Sequence, residues 1–339
     1  MIDALHDPGT PIGLARSAAV PREALEPLRA RSGARILIGV ASWTDPSMTA
    51  AGVFYPGNAR SAEDRLRYYT TRFPLVEVDS TYYAIPARRM AELWVDRTPG
   101  DFTFDVKAHA LMTGQPSEVT RLPREIRDAL PADAAKKARV YATELPAELK
   151  DAVWSMFLDA LRPLRDAGRL GAILLQYPKW VGPSRANAAL IEDAQRRLAD
   201  GGWRGAIELR NRDWFDDRTR PRTLALLRRT CSPYVIVDSP PGFQSSVPVV
   251  PEVTSPSLAV VRFHGRNTDT WEAKVTHVSQ RFRYLYDEKQ LAEWVPTISS
   301  ISEQAEEVHL VFNNCYGNYG TTNALEMGGM LLEAGVAGF

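Results

Sequence analysis

Short apolar runs alternate with longer amphipathic stretches along the chain from residue 35 onward. Each run is rich in β-branched and aromatic residues, a composition that is typical of β-strands. Eight runs of this kind occur, at residues 36–42, 75–80, 102–108, 172–177, 205–210, 234–239, 259–265 and 308–314. Because the stretches between them have helical periodicity, the pattern predicts repeated βαβ units and a parallel sheet.

The helical stretches begin at residues that favour helix termini. Ser61, with Asp64 three residues later, is a capping box, and Pro86 stands at a helix start. The predicted helices span residues 61–73, 86–97, 146–167, 184–200, 218–230, 287–306 and 322–335. Eight strand–helix units in 339 residues favour one α/β domain, a closed TIM-type (β/α)8 barrel, over an open doubly wound sheet.

The chain before the first run has no comparable periodicity. Residues 1–34 contain four scattered prolines, so we expect an N-terminal extension, with disorder and a short helix over 21–31 as the two options. The barrel is predicted over residues 35–339. Its long connections at 109–145 and 240–258 follow the third and sixth strands, at the end where barrel enzymes carry their variable loops.

Polar side chains recur at alternate positions near the C-terminal ends of the predicted strands. Side chains alternate between the two faces of a strand, and the outer face of a barrel packs under helices and is apolar. The polar face is therefore predicted to point into the barrel. The members of this inward set are Ser42, Glu77, Asp79, Asp105, Lys107, Gln176, Glu208, Arg210, Asp238, Arg262, His264 and Asn313.

Two interpretations of the inward set remain open. Isolated buried charges are costly, so the charged members must either pair, as Glu208 could with Arg210, or surround a polar ligand. We favour a ligand site because a stable barrel does not require so many interior charges. Acid–base chemistry is expected there, with His264 titrating near neutrality. The predicted catalytic residues are Glu77, Asp79, Lys107, Glu208, Asp238 and His264.

Ligand binding is assigned to polar and aromatic groups at the same end of the barrel. Arginine can hold a carboxylate or phosphate through two hydrogen bonds, and aromatic rings suit stacking on a sugar. The loops after the seventh and eighth strands, HGRN and NNCYGNYG, are suited to phosphate. A small anionic or polyhydroxylated ligand is therefore expected. The predicted binding residues are Ser42, Trp43, Tyr82, Gln176, Arg210, Arg262, Arg266, Asn313 and Asn314.

Composition narrows the class of protein. Lys and Arg together number 41, as do Asp and Glu, so the formal net charge is zero. This balance argues against a protein that binds nucleic acid by neutralising many phosphates, and a nucleic-acid binder or phosphodiester hydrolase is the weaker alternative. No apolar run is long enough to span a membrane, and the N-terminus lacks the apolar core of a secretory signal. With only two cysteines, a cytoplasmic location is expected.

No cofactor is predicted, because the chain has no glycine-rich nucleotide-binding motif. A divalent metal on the inward carboxylates and His264 is a less favoured option, since Arg210 and Arg262 would repel a cation. No residue is therefore assigned as a metal ligand.

Several motifs resemble one known family. They are IGVASW (38–43), VEVDSTYYAIP (76–86), ELRNRDWF (208–215), VRFHGRN (261–267) and FNNCYGNYGTTNA (312–324). The chain resembles the YecE-like family, a family of unknown function, over roughly residues 36–335. The resemblance implies a TIM-type barrel and no particular reaction. We predict an enzyme, most plausibly a hydrolase or an isomerase, with a non-catalytic ligand-binding barrel as the other option.

Overall fold

The computed structural model describes residues 26–338. Its centre is a sheet of eight parallel strands in which consecutive strands pair and β1 also pairs with β8. A bridge between Ile207 and Tyr234 joins β5 to β6, so the sheet is a nearly closed barrel. The strands are β1 (Arg35–Ala41), β2 (Leu75–Val78), β3 (Thr103–Lys107), β4 (Leu170–Tyr177), β5 (Gly205–Leu209), β6 (Val235–Asp238), β7 (Ala259–Phe263) and β8 (Glu307–Phe312). The predicted TIM-type α/β barrel is confirmed.

Helices follow the strands and cover the outside of the barrel. They are α1 (Pro46–Ala51), α2 (Ala62–Tyr69), α3 (Arg88–Asp96), α4 (Arg124–Asp128), α5 (Ala132–Ala135), α6 (Ala147–Asp166), α7 (Arg185–Asp200), α8 (Arg220–Arg229), α9 (Glu288–Ala292), α10 (Val295–Ser302) and α11 (Tyr319–Glu333). The capping box of Ser61 and Asp64 is present at the start of α2. The single helix predicted over 287–306 is wrong, because Pro296 cannot continue a helix and instead stands in the first turn of α10.

The loops contain short elements that the sequence pattern does not predict. In the connection 109–145, a two-stranded ribbon forms between Ser117–Glu118 and Arg139–Val140. The connection 240–258 has no helix or strand within the described chain. Single turns of 3-10 helix occupy Ser80–Tyr82, Ala110–Thr113, Val119–Arg121, Ala142–Glu144, Arg212–Phe215 and Val278–Phe282.

A small antiparallel arrangement covers the N-terminal end of the barrel. Leu28–Ala30 is a strand that pairs with the start of β1 and with Ala337–Gly338. The predicted helix over 21–31 is therefore wrong at these three positions, and its first part, like the rest of residues 1–25, lies outside the described residues. The side chain of Leu28 is fully buried, so this strand adds to the core.

Candidate functional site

The centre of the barrel holds a guanidinium between two carboxylates. Arg262, from β7, contacts Glu77 of β2 through Nη2 at 2.5 Å and Glu208 of β5 through Nη1. All three side chains are buried. Charge-assisted hydrogen bonds of this kind offset the cost of removing the charges from water only when both partners are present. The predicted inward direction of these three residues is confirmed.

Glu208 is the most heavily bonded group of the centre. Its Oε1 atom accepts hydrogen bonds from Gln176 Nε2 at 2.8 Å and Arg210 Nη1 at 3.4 Å, and it lies 3.1 Å from His264 Nε2. His264 in turn accepts a hydrogen bond at Nδ1 from Asn313 Nδ2 at 2.7 Å. The structure thus joins five predicted site residues, from four strand ends and the loop after β5, into one network.

The hydrogen-bond partners of His264 show which of its two ring nitrogens carries the proton. Because the asparagine amide donates to Nδ1, the remaining ring proton lies on Nε2 and is donated to Glu208. Burial lowers the pKa of His264 to about 3, despite the nearby Glu208 charge. The prediction that His264 titrates near neutrality is therefore wrong, since its ring is sealed from water and neutral.

The rim of the network is more open than its centre. Lys107, at the end of β3, lies 3.5 Å from Asp79 Oδ1 and 5.0 Å from the ring centroid of Tyr82. The side chains of Lys107 and Asp79 are 15% and 29% exposed. Asp79 Oδ1 accepts no hydrogen bond from any described residue. An acceptor and a cation are therefore presented together at the mouth.

Two carboxyl groups on the same strand have opposite pKa shifts. Burial raises the pKa of Glu77 to about 8, against the attraction of Arg262, and the charge of Asp79 raises it further. Burial also opposes ionisation of Asp79, but Lys107 and Arg262 outweigh it and lower the pKa of that carboxyl. At neutral pH the proton therefore resides on the buried Glu77, while the accessible Asp79 is ionised.

A loop after β7, residues 267–283, covers the centre, and we call it the lid. The rings of Trp271 and Phe282 each lie 5.9 Å from the ring of His264. The guanidinium of Arg210 lies 4.6 Å from the Trp271 ring centroid. The sequence prediction did not include these lid aromatics among the site residues, and aromatic content after the HGRN motif is the only signal that points to them.

Asp238 and Arg266 do not join the network. Asp238 is in register with Phe263, which faces the helices, so its carboxylate points outward. There it binds Arg266 at 2.7 and 2.9 Å and accepts hydrogen bonds from Tyr286 Oη and Trp294 Nε1. The prediction that Asp238 points into the barrel is wrong, and Arg266, which was predicted to bind the ligand, pairs with Asp238 instead. They attach the elements around α9 and α10 to the barrel wall.

Trp43 is a core residue and not part of the rim. Its ring makes edge-to-face contacts with Trp94 and Phe104, with centroids 6.0 and 6.5 Å apart, and it is buried. The conformation of the preceding residue explains why Trp43 does not continue the inward set. Ser42 has φ of 72°, in the left-handed region, so the strand alternation ends before Trp43. Ser42 itself stays at the rim, half-buried, with its N–H donating to the carbonyl of Glu77 at 2.8 Å.

Asn314 is likewise internal. Its amide nitrogen donates to the carbonyl of Tyr284 and to Asn323 Oδ1, both at 2.9 Å. The side chain thus fastens α11 to the segment after the lid, while its Oδ1 has no hydrogen-bond partner among the described residues, and the predicted ligand contact of Asn314 stays a prediction.

Comparison with known proteins identifies the family of this chain. The family model "Protein of unknown function DUF72" matches residues 37–337. The chain belongs to the DUF72 family. It is 28% identical over 295 residues to the UPF0759 protein YunF of Bacillus subtilis, a match that covers 86% of this chain and 93% of YunF.

Solved DUF72 structures share the fold. A family member from Thermotoga maritima is 26% identical with a TM-score of 0.68, covering 88% of this chain and 99% of that one. One from Enterococcus faecalis is 28% identical with a TM-score of 0.67, covering 88% and 95%. Over residues 26–338 of this DUF72 chain, no helix is both long and apolar enough to cross a membrane.

Three of the predicted carboxyl groups of this DUF72 site contact arginines and are not grouped with one another. Among the described residues, no three His, Cys, Asp or Glu side chains are grouped so that they could hold a metal ion. Glu77 and Glu208 contact Arg262 instead, and Asp238 lies on the other side of the sheet. Arg262 therefore stands between two of the groups that the sequence offered to a divalent ion, and a third, Asp238, lies apart from them.

A second buried cluster lies toward the N-terminal end of the barrel, and the predicted site did not include it. His309 Nδ1 lies 2.8 Å from Asp105 Oδ2, and its Nε2 lies 3.0 Å from Glu307 Oε1. Glu307 also pairs with Arg204 at 2.8 Å and with Arg35 at 3.0 Å. Since both ring nitrogens face carboxylates, both carry protons. Burial opposes this charge, but Asp105 and Glu307 outweigh it and raise the pKa of His309 to about 9.

The charge of His309 makes stability depend on pH. Its folded-state pKa of about 9 exceeds the ordinary value of 6.5, so its contribution is complete below pH 6.5 and is lost as pH rises through about 9. Replacing His309 by Gln should therefore lower the free energy of unfolding most at pH 6, with a gap that narrows toward alkaline pH. Urea denaturation at several pH values measures this. His277→Gln, at an exposed position, is the control, and a gap that does not change with pH would contradict the prediction.

Proposed function

We propose that this DUF72 chain is an enzyme that carries out acid–base chemistry on a small anionic or polyhydroxylated ligand at the C-terminal mouth of its barrel. One observation carries the proposal. The Asp79 carboxylate, which is 29% exposed, lies beside a protonated carboxyl, Glu77, and a cation, Lys107. Pairs of titratable groups whose pKa values are pushed apart are what proton transfer at neutral pH requires.

The charge balance of the mouth favours an anion. Arg262, Arg210 and Lys107 are cationic, while Glu208 and Asp79 are anionic when Glu77 holds its proton. One positive charge is left without a counterion in this set. A small carboxylate or phosphate would neutralise it, and the low dielectric beneath the lid would strengthen the attraction.

Each rim residue has a role in this proposal. Asp79, whose side chain is 29% exposed, accepts a proton from the ligand. Lys107 stabilises negative charge that develops on a ligand oxygen. Asp79 then returns the same proton in the second step, while Glu77, which keeps its own proton, places no second negative charge beside it. These roles fit an isomerase or a hydrolase, and they extend the resemblance to the YecE-like family, which itself implies no reaction.

Proton transfer can be tested without knowledge of the product. A panel of sugar phosphates and hydroxy acids is incubated with the protein in D2O, and turnover or deuterium incorporation is followed by NMR. We expect at least one compound to react, and Asp79→Asn to slow the reaction by about 100-fold or more. The exposed Asp128 of α4 gives the control Asp128→Asn, with no change expected.

The other outcomes discriminate among functions. Turnover that survives Asp79→Asn would refute the assignment of the base. Ligands that perturb mouth resonances without any reaction would favour a non-catalytic binding barrel. A panel that neither binds nor reacts would count against the ligand class.

A further inference from the structure

Among the buried polar atoms that lack a hydrogen-bond partner within the described residues, three lie on the lid or on the rim beside Lys107. They are Trp271 Nε1 and Arg281 Nε on the lid, and Asp79 Oδ1 on the rim. Buried polar atoms in folded proteins are almost always hydrogen-bonded. The side chain of Trp271 is only 4% exposed, so open solvent does not supply its partner.

The two donors lie close together on the lid. The guanidinium of Arg210 stacks on the ring of Trp271 at 4.6 Å. The ring of Phe282, the residue after Arg281, lies 6.1 Å from the ring of Trp271. Trp271 and Arg281 are therefore neighbours on the lid, while Asp79 lies at the rim beside Lys107.

The lid is fastened in the position that places its donors there. Glu272, next to Trp271 in the chain, binds Lys179 at 3.1 Å and accepts a hydrogen bond from Ser245 at 2.8 Å. Arg281 donates through Nη2 to the carbonyl of Ala273 at 3.2 Å, so its guanidinium is held by the lid itself. The two unpaired N–H groups are thus preorganised and do not have to be ordered by the ligand.

We propose that Trp271 and Arg281 form an oxyanion subsite on the underside of the lid, and that the ligand is an oxyanion that also carries a hydroxyl group, which donates to Asp79. This inference rests on the proposed function, because it places the ligand of the same site. An indole and a guanidinium donate hydrogen bonds and accept none, so their partner is an acceptor, and an anionic oxygen forms the stronger, charge-assisted bond with the guanidinium. A carboxylate only accepts, so its partner is a donor, and a hydroxyl group donates without adding a second positive charge beside Lys107.

The experiment compares matched probes that differ in hydroxyl groups. Glycolate against acetate represents the carboxylate source, and glycerol 3-phosphate against propyl phosphate represents the phosphate source. Binding to the full chain is measured by NMR titration. We expect the hydroxylated member of one pair to bind more tightly, which also identifies the source of the oxyanion. Equal affinity within both pairs would overturn the hydroxyl assignment.

Variants then test each donor. Trp271→Phe removes the N–H and keeps an aromatic ring, and Arg281→Met removes the guanidinium. Each should weaken both members of the bound pair about tenfold, the expected effect of losing one charge-assisted hydrogen bond. Asp79→Asn should instead reduce the preference for the hydroxylated member. The controls are Trp180→Phe, whose indole is 57% exposed and donates to Gly114, and Arg222→Met on the exposed face of α8.

The experiment distinguishes failure of the lid subsite from failure of the proposed function. If the probes bind and react but Trp271→Phe and Arg281→Met bind them as the wild type does, the lid subsite is refuted and the proposed function stands. If no probe binds the wild type, both are refuted for this ligand class. Should Trp271→Phe melt at a lower temperature, Arg281→Lys answers the same question, since it keeps the charge and loses the planar donor set.

Discussion

Replacing Arg262 by Met is expected to lower the free energy of unfolding by about 3 to 5 kcal/mol, the usual cost of removing one partner from a buried ion pair. The reason is the position of its guanidinium between Glu77 and Glu208, all three being inaccessible to water. Methionine fills part of the volume, but it leaves the buried Glu208 carboxylate with only Arg210, at 3.4 Å, and it removes the hydrogen-bond donor of Glu77. Urea denaturation near neutral pH measures the loss.

The loss of stability caused by Arg262→Met should be smaller at acidic pH. Without Arg262, the attraction that opposes burial is lost, so the folded-state pKa of Glu208 rises and that of Glu77, already raised, rises further. A group with a raised folded-state pKa is least destabilising below its unfolded pKa, so the gap between variant and wild type should be smaller at about pH 5 than at about pH 8. Arg228→Met breaks an exposed pair with Glu252 and should change stability by no more than about 1 kcal/mol. A loss for Arg262→Met no larger than that of the control would contradict the central ion pair.

Arg262 also shows what strand alternation can and cannot predict. The period of two predicts correctly that Arg262, Glu208 and Glu77 face inward, because helices cover the outer face. Alternation carries no information on depth. It therefore does not distinguish Arg262, which is inaccessible to water, from Lys107 at the rim, which is 15% exposed.

Asp238 shows where the same argument fails. Strand positions that face outward are apolar only where the covering helices and loops present no polar side chain to them. Arg266, Tyr286 and Trp294, which follow Asp238 by 28 to 56 residues, supply such partners. These are tertiary contacts, and nothing in the local pattern of the sixth strand indicates them.

The lid lies beyond prediction from sequence for a related reason. Residues 267–283 have no strand alternation and only one short 3-10 turn within the described chain. Their path depends on distant contacts, such as the ion pair of Glu272 with Lys179. Trp271 and Arg281 therefore reach the mouth through the path of the loop, which local propensities do not determine.

A glycine in β4 provides the second large expected effect. Between its pairings with Phe104 and Val106 of β3, β4 contains a bulge. The N–H of Ala172, which follows Gly171, is bound by Asp105 Oδ1 at 2.9 Å. A Cβ atom on Gly171 would lie 2.4 Å from that same oxygen and 2.8 Å from His309 Cε1. The bulge and the charged pair therefore fit together only when residue 171 has no side chain.

Gly171→Ala should accordingly lower the free energy of unfolding by about 3 kcal/mol, because the methyl group must displace Asp105 from both of its partners. Gly57→Ala is the matched control: its Cβ would meet no atom within 4 Å, so a change within about 0.5 kcal/mol is expected. Denaturation at about pH 6, where the imidazolium of His309 is present, gives the sharpest comparison. In a chain that already carries His309→Gln, Gly171→Ala should lower the free energy of unfolding by less, because the ion pair of Asp105 with His309 is then already absent. Equal costs in the two backgrounds would mean that the glycine and the ion pair are independent.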